Sequence, residues 1–210
     1  MKIQNKQVFN VVPDWMIRDC INDYKSKPKR WPGTMNTADP GIHIGKISKL
    51  VSELTGKPVQ YRSGNYYQHN SPYLPHTDWF SHIENNLNVV IPLSFDCEIG
   101  FEPKLIVFDQ IWPYNAVTWC MNYPVLEFNP NTGVKGCPGE YPLKGKTGSE
   151  IDIDFWQENL SMYPHECLNN LSGKSYPFTP GSIVIFNNQN VHATSFYKGI
   201  KLGLSLRFKI

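Results

Sequence analysis

A histidine and an aspartate stand two residues apart in the stretch Tyr73-Leu74-Pro75-His76-Thr77-Asp78. On an extended segment alternate side chains point to one face. His76 and Asp78 therefore aim the same way and can hold one ion between them. A second half lies far downstream, in Pro180-Gly181-Ser182-Ile183-Val184-Ile185-Phe186 followed by His192. A turn, an apolar strand and a histidine are what would carry a third ligand to the same place. Two histidines and one carboxylate on one face suit a non-haem iron(II) ion with open coordination positions. The same ligands bind zinc, with a bound water as nucleophile. Plainer readings stand beside this one, because an isolated His-x-Asp is common. His76 can be a loop residue after Pro75, Asp78 a turn cap and His192 a hydrogen-bonded core histidine. The ordered set of pieces favours the metal.

Beyond His192 the chain runs Ile200-Lys201-Leu202-Gly203-Leu204-Ser205-Leu206-Arg207-Phe208. Leu202, Leu204, Leu206 and Phe208 share one face of a strand, and Lys201, Gly203, Ser205 and Arg207 share the other. If the polar face lines an interior, two cations and a hydroxyl lie near the metal. That is a place for a dicarboxylate, chelating the ion at one end and meeting a cation and a hydroxyl at the other. The alternative is an edge strand with its polar face in water.

The elements that must position these residues follow from periodicity. Gln7 to Val12 alternates weakly, as a first strand. A helix starts at Pro13-Asp14 and runs to about Ser26, with Ile17, Ile21 and Tyr24 on one face. Residues 29–40 read as a polar loop. Ile47, Leu50, Val51 and Leu54 keep helical spacing, with Gly56 at the capping position. Both helices are expected to pack outside a sheet. From Pro58 the period changes to two. Val59–Arg62 and Asn65–Gln68 read as separate strands leading to His76. Asn86–Ser94 is a strand in which Pro92 marks an edge or a bulge, and Lys104–Gln110 is a buried strand. Residues 112–178 are the least regular, with a short helix near Asp154–Met162 and a second from Pro164. A long insertion of this kind serves as a lid or binding loop, or is a solvent-facing excursion without a role. Strands return at Gly181–Phe186, Val191–Tyr197 and Ile200–Ile210, with Lys198-Gly199 as a last hairpin turn.

Composition limits the function classes. The 210 residues fit one domain. The net charge of +2 and scattered Lys and Arg give no strong nucleic-acid signal. Five cysteines, none in a Cys-x-x-Cys pair, argue against a disulfide scaffold or zinc ribbon. The N-terminus lacks an apolar signal region, and no apolar run reaches membrane-spanning length. The expectation is a cytoplasmic protein with no membrane partner; its oligomeric state is open. His43, His69, His82 and His165 have no carboxylate at metal spacing, and His69 reads as a surface residue or a support for His76.

His76-Thr77-Asp78, the Pro180–Phe186 segment, His192 and the basic final strand together resemble the iron(II)- and 2-oxoglutarate-dependent oxygenase superfamily. The likeness covers roughly residues 60–110 and 178–210. It implies a mainly β (α+β) fold, a double-stranded β-helix of the jelly-roll or cupin-like kind, with the N-terminal helices outside. Residues 1–210 would form a single oxygenase domain with an inserted region at about 112–178. The resemblance implies iron(II) held by His76, Asp78 and His192, and 2-oxoglutarate held by a cation on the last strand. Lys201, nine residues past His192, fits the commoner spacing. Arg207, fifteen past it, fits a position used by other branches. Ser205 can assist either, and Tyr67, Tyr61 or Asn88 can complete that pocket. The implied activity is hydroxylation of a small-molecule or peptidyl substrate, with release of succinate and carbon dioxide. An aspartate ligand argues against a halogenase, because the carboxylate takes the site of the halide. The gap from Asp78 to His192 is long for this superfamily, so substrate identity does not carry over. Trp79, Trp112 and Tyr114, with Phe80 and Trp119, are candidates for the substrate pocket. Two other readings remain: a cupin-like zinc or iron protein that does not use 2-oxoglutarate, and a non-catalytic jelly-roll binding or structural module.

Overall fold

Alternation along the last strand, β10 (Gly199–Lys209), divides the molecule into compartments. Leu202, Leu204, Leu206 and Phe208 are buried together with apolar residues of two helices. Those helices are α1 (Asp14–Ser26) and α2 (Ile44–Thr55), which bury Met16, Ile17, Cys20, Ile47 and Val51 on the same layer. The opposite face of β10 looks inward to a second sheet. The structure is a computed structural model. It describes residues 3–27, 40–73, 75–77, 85–111, 152–163, 168 and 171–210, with the backbone of 117–120 and 123–126.

The larger sheet has the order β1-β8-β3-β10-β2 and is antiparallel throughout. It comprises β1 (Lys6–Val8), β8 (Ile183–Asn187), β3 (Asn86–Cys97), β10 and β2 (Gln60–His69). The smaller sheet has the order β7-β4-β9, from β7 (Gly173–Pro177), β4 (Lys104–Ile111) and β9 (Asn190–Thr194). A hairpin of β5 (Val117–Cys120) and β6 (Tyr123–Leu126) accompanies it. Between the sheets lie Val90, Leu105, Val107, Tyr176, Phe178, Val184 and Phe186, with Tyr67 against them. A third apolar layer covers the outside of the smaller sheet, where Leu160, Leu168 and Leu171 and the helix α3 (Ile153–Asn159) pack on Ile106, Phe108, Val191 and Ala193. Two facing antiparallel sheets joined by strands that cross between them form the expected jelly roll.

The two N-terminal helices and Gly56 at the end of α2 fall where periodicity puts them. Three expectations change. β2 is one ten-residue strand rather than two. Gly64, in the gap between those two readings, is a packing position, since a Cβ there would stand 2.5 Å from Leu206 Cδ2. Lys198-Gly199 is not a hairpin turn. β9 already has β4 on one side and the Tyr73–His76 segment on the other. The chain must therefore leave its sheet, and β10 inserts between β3 and β2 in the opposite one. Residues 173–177, inside the range read as irregular, form a strand of the smaller sheet. Pro92 lies in a central strand, not at an edge. The register slips between Leu202 and Gly203, which pair with Ser94 and Pro92, so the bulge reading holds. The second helix expected from Pro164 starts outside the described residues.

Candidate metal centre

His76 and His192 meet. Each donates its backbone N–H to the other's carbonyl at 2.8 Å, forming an antiparallel bridge. Residues directly opposite in such a pair share a face, and their ring centroids lie 4.2 Å apart. Thr194 N donates to Tyr73 O at 3.2 Å, so the 73–76 segment runs along the edge of β9 like a further strand. Tyr73 stands edge-on to His76 at 4.5 Å, and Phe186 packs on His192 at 5.0 Å. His192 is buried. Its Nδ1 lies 3.1 Å from the Asn190 carbonyl oxygen. A carbonyl only accepts, so Nδ1 carries the proton and Nε2 is the unprotonated ring nitrogen. Among the described residues no third His, Cys, Asp or Glu completes a metal-binding group with this pair. Asp78 lies outside the described residues, as do Phe80 and the pocket candidates Trp79, Trp112 and Tyr114. Trp119 falls on β5, where the backbone alone is described.

The two cations of β10 separate. Six residues of strand put Lys201 and Arg207 roughly 20 Å apart along the chain. Lys201 is 4 % exposed. Its Nζ donates to Thr194 Oγ1 at 2.9 Å. Thr194 stands two residues beyond His192 on β9, on the same face and ~7 Å along the strand. Around the ammonium lie the rings of Phe178 at 5.2 Å, Tyr197 at 5.3 Å and Tyr67 at 5.6 Å. Burial pulls its pKa down to about 7, with the Cys97 sulfur opposing the shift. Among the described residues no carboxylate forms an ion pair with it.

Arg207 instead donates from Nη1 to Asn65 Oδ1 at 3.2 Å, opposite Asn88 on β3. Ser205, between Asn65 and Val90 in the ladder, is two residues nearer to Lys201. Tyr67 owes its position to Gly203, since a Cβ there would stand 2.4 Å from Tyr67 Cζ. Tyr61 packs on Phe208 at 5.8 Å, in the helix-covered layer rather than in the interior.

His69 corrects the surface reading. It is the cross-strand partner of Lys201 and packs against Tyr67 at 5.6 Å and Tyr73 at 6.1 Å. Burial, then the Lys201 charge, then His76 pull its pKa to about 4, so it is neutral at pH 7. His43, also without a metal partner in the sequence, lies 3.0 Å from Asp19 in a separate pair on the helix side.

No protein-family model matches this sequence, and no curated protein matches it. Its fold matches solved structures. The epimerase SnoN of nogalamycin biosynthesis, in complex with Fe3+, alpha ketoglutarate and nogalamycin RO, aligns with TM-score 0.56 and 13% identity, over 99% of this chain and 79% of that one. HygX from Streptomyces hygroscopicus, with nickel and 2-oxoglutarate bound, gives TM-score 0.53 and 11% identity over 99% and 83%. A prolyl-4-hydroxylase from Pseudomonas putida gives TM-score 0.50 and 10% identity over 98% and 91%. At these identities the likeness is one of architecture: this chain shares the fold of these solved structures, which here is a jelly roll of two facing antiparallel sheets.

Proposed function

We propose that this chain is an iron(II)- and 2-oxoglutarate-dependent oxygenase that hydroxylates a small-molecule or peptidyl substrate. One observation carries the reading: a bridged pair of histidines with, behind it, a buried cation that has no carboxylate partner among the described residues. A cation taken out of water without a counter-charge is costly. It suits a ligand that brings the missing carboxylate. Solved structures of the same fold include an epimerase and a prolyl-4-hydroxylase.

His76 and His192 would hold the ion through nitrogens facing the interior, with Asp78 as the carboxylate ligand. The His192 Nδ1–H bond to Asn190 O fixes the tautomer that leaves Nε2 available. Lys201 would receive the distal carboxylate of 2-oxoglutarate, with Thr194 Oγ1 at its side. Thr194, the hydrogen-bond partner of Lys201, stands ~7 Å along β9 from His192, a separation on the order of an extended five-carbon diacid. Phe178, Tyr197 and Tyr67 keep water from that charge pair, which strengthens it. Ser205 and Arg207 follow Lys201 along the same face, and Arg207, roughly 20 Å away, is assigned to the substrate rather than to the co-substrate. Iron(II) with 2-oxoglutarate and dioxygen supplies oxidation of an unactivated C–H bond, with release of succinate and carbon dioxide.

Titration calorimetry with 2-oxoglutarate, with iron(II) under anaerobic conditions, tests this directly. Lys201→Ala is expected to weaken binding by roughly 30-fold or more, as for a buried charge pair, and Arg207→Ala by less. His76→Ala and His192→Ala should each abolish stoichiometric iron. Metal binding without 2-oxoglutarate binding would favour the cupin-like zinc or iron alternative. Binding of neither would leave the jelly-roll module.

A further inference from the structure

The histidine pair belongs to a longer row. His76 opposes His192, His192 opposes Val107 on β4, and Val107 opposes Lys174 on β7. Directly opposed residues point to one side of a sheet. Lys174 therefore lies on the inner face, two strand spacings or roughly 10 Å from His192. It stands on the far side of His192 from His76. The row opens into a cleft of about 330 Å³, lined by Val107, Asp109, Lys174, Tyr176 and Asn190 and by the N-terminal segment at residues 3–5. That volume is at the small end of ligand pockets.

The lining is built from alternating positions that continue the face of the histidines. Asn190 is two residues before His192, and Asp109 is two beyond Val107. Asn190 is held in place, with its Nδ2 donating to Phe108 O at 2.7 Å. Asp109 accepts from Ser172 Oγ at 3.3 Å. The Tyr176 phenol stays protonated, since burial and then the Asp109 charge raise its pKa. Lys174 has no carboxylate within ion-pair distance among the described residues. The histidine pair thus stands between two cations of different character. Lys201 is sealed among aromatic rings, and Lys174 borders an open polar cleft with an apolar floor.

We propose that this cleft is the substrate site, and that it takes a small polar molecule bearing an acidic group. The acid meets Lys174, and a hydroxyl or amine of the same molecule meets Asp109. Val107 carries the carbon skeleton toward the histidines. This inference rests on the oxygenase reading for what happens to the substrate, not for its binding.

Paired probes test it: 4-hydroxybenzoate against 4-hydroxybenzamide, and 3-hydroxybutyrate against its amide. Saturation-transfer NMR gives their dissociation constants, with 2-oxoglutarate at saturation to occupy Lys201. The acids should bind on the order of 3-fold tighter than their amides, the size expected for a partly solvated charge pair. Lys174→Gln should erase that preference, and Lys174→Glu should invert it. Equal binding of acid and amide by the wild type, no binding of either, or a preference that survives Lys174→Glu overturns the proposal. If 2-oxoglutarate fails to bind while the Lys174-dependent preference persists, the oxygenase reading falls and the cleft stands.

Discussion

Lys201 is a cation in surroundings that disfavour cations. Burial brings its pKa to about 7, against 10.5 for the ordinary side chain. Between those values the unfolded chain holds a proton that the folded chain has released, so stability rises with pH across that window. Below it both states are protonated and the full penalty remains. Thermal melts without co-substrate should show Tm rising from pH 7 toward pH 9 more steeply in the wild type than in Lys201→Met. If 2-oxoglutarate binds at Lys201 as proposed, it favours the charged ammonium, so the Tm gain on adding it should shrink as pH rises. His69 gives the same case at lower pH. Its folded pKa of about 4 lies below the ordinary 6.5. Acidification through that interval protonates the unfolded chain first and costs stability. Urea midpoints measured from pH 6.5 to pH 4 should fall less in His69→Gln than in the wild type.

The strand is the scale at which the sequence is most readable. The two faces of β10 alternate as the residue types demand, and the same period brings His76 and His192 onto one surface. Gly203 shows the cost of disturbing that surface. Gly203→Ala would drive a methyl into the Tyr67 ring. It should destabilise by ~1–3 kcal/mol, as overpacking does, and weaken 2-oxoglutarate binding. Adding Tyr67→Leu should recover the stability in urea titrations but not the affinity. Other features are invisible in the chain. Gly64 falls in a gap between two strand readings because the Leu206 side chain that fills its space is 142 residues away. The route from β9 to β10 looks like a hairpin because nothing local reveals that both edges of β9 are taken. Lys174 sits in a short strand with one buried residue, Tyr176. Its place on the histidine row exists only through β4. Thr194, Phe178 and Tyr197 come together around Lys201 from different segments, so the cation is legible in sequence and its enclosure is not.

At the scale of the molecule the large sheet is a wall between two compartments. Apolar packing against the helices fills one side, and the other holds the histidines, Lys201 and the aromatic rings. Substitutions on the two sides should therefore read out differently. Leu204→Ala, under the helices, should cost ~2–5 kcal/mol in urea unfolding while leaving 2-oxoglutarate affinity within about 2-fold. Phe178→Ala, between the sheets, should lower both, because it opens the Lys201 enclosure to water. No helix among the described residues is long and apolar enough to cross a membrane.

The paired backbone bonds between His76 and His192 would also decide what a bound ion contributes. The imidazoles are brought side by side by the ladder itself, so their conformational entropy is surrendered during folding and not at the moment of capture. A chelator should accordingly leave a cooperatively melting chain, unlike small zinc domains that collapse when stripped. Restoring the ion should raise Tm only by mass action, in step with its free concentration.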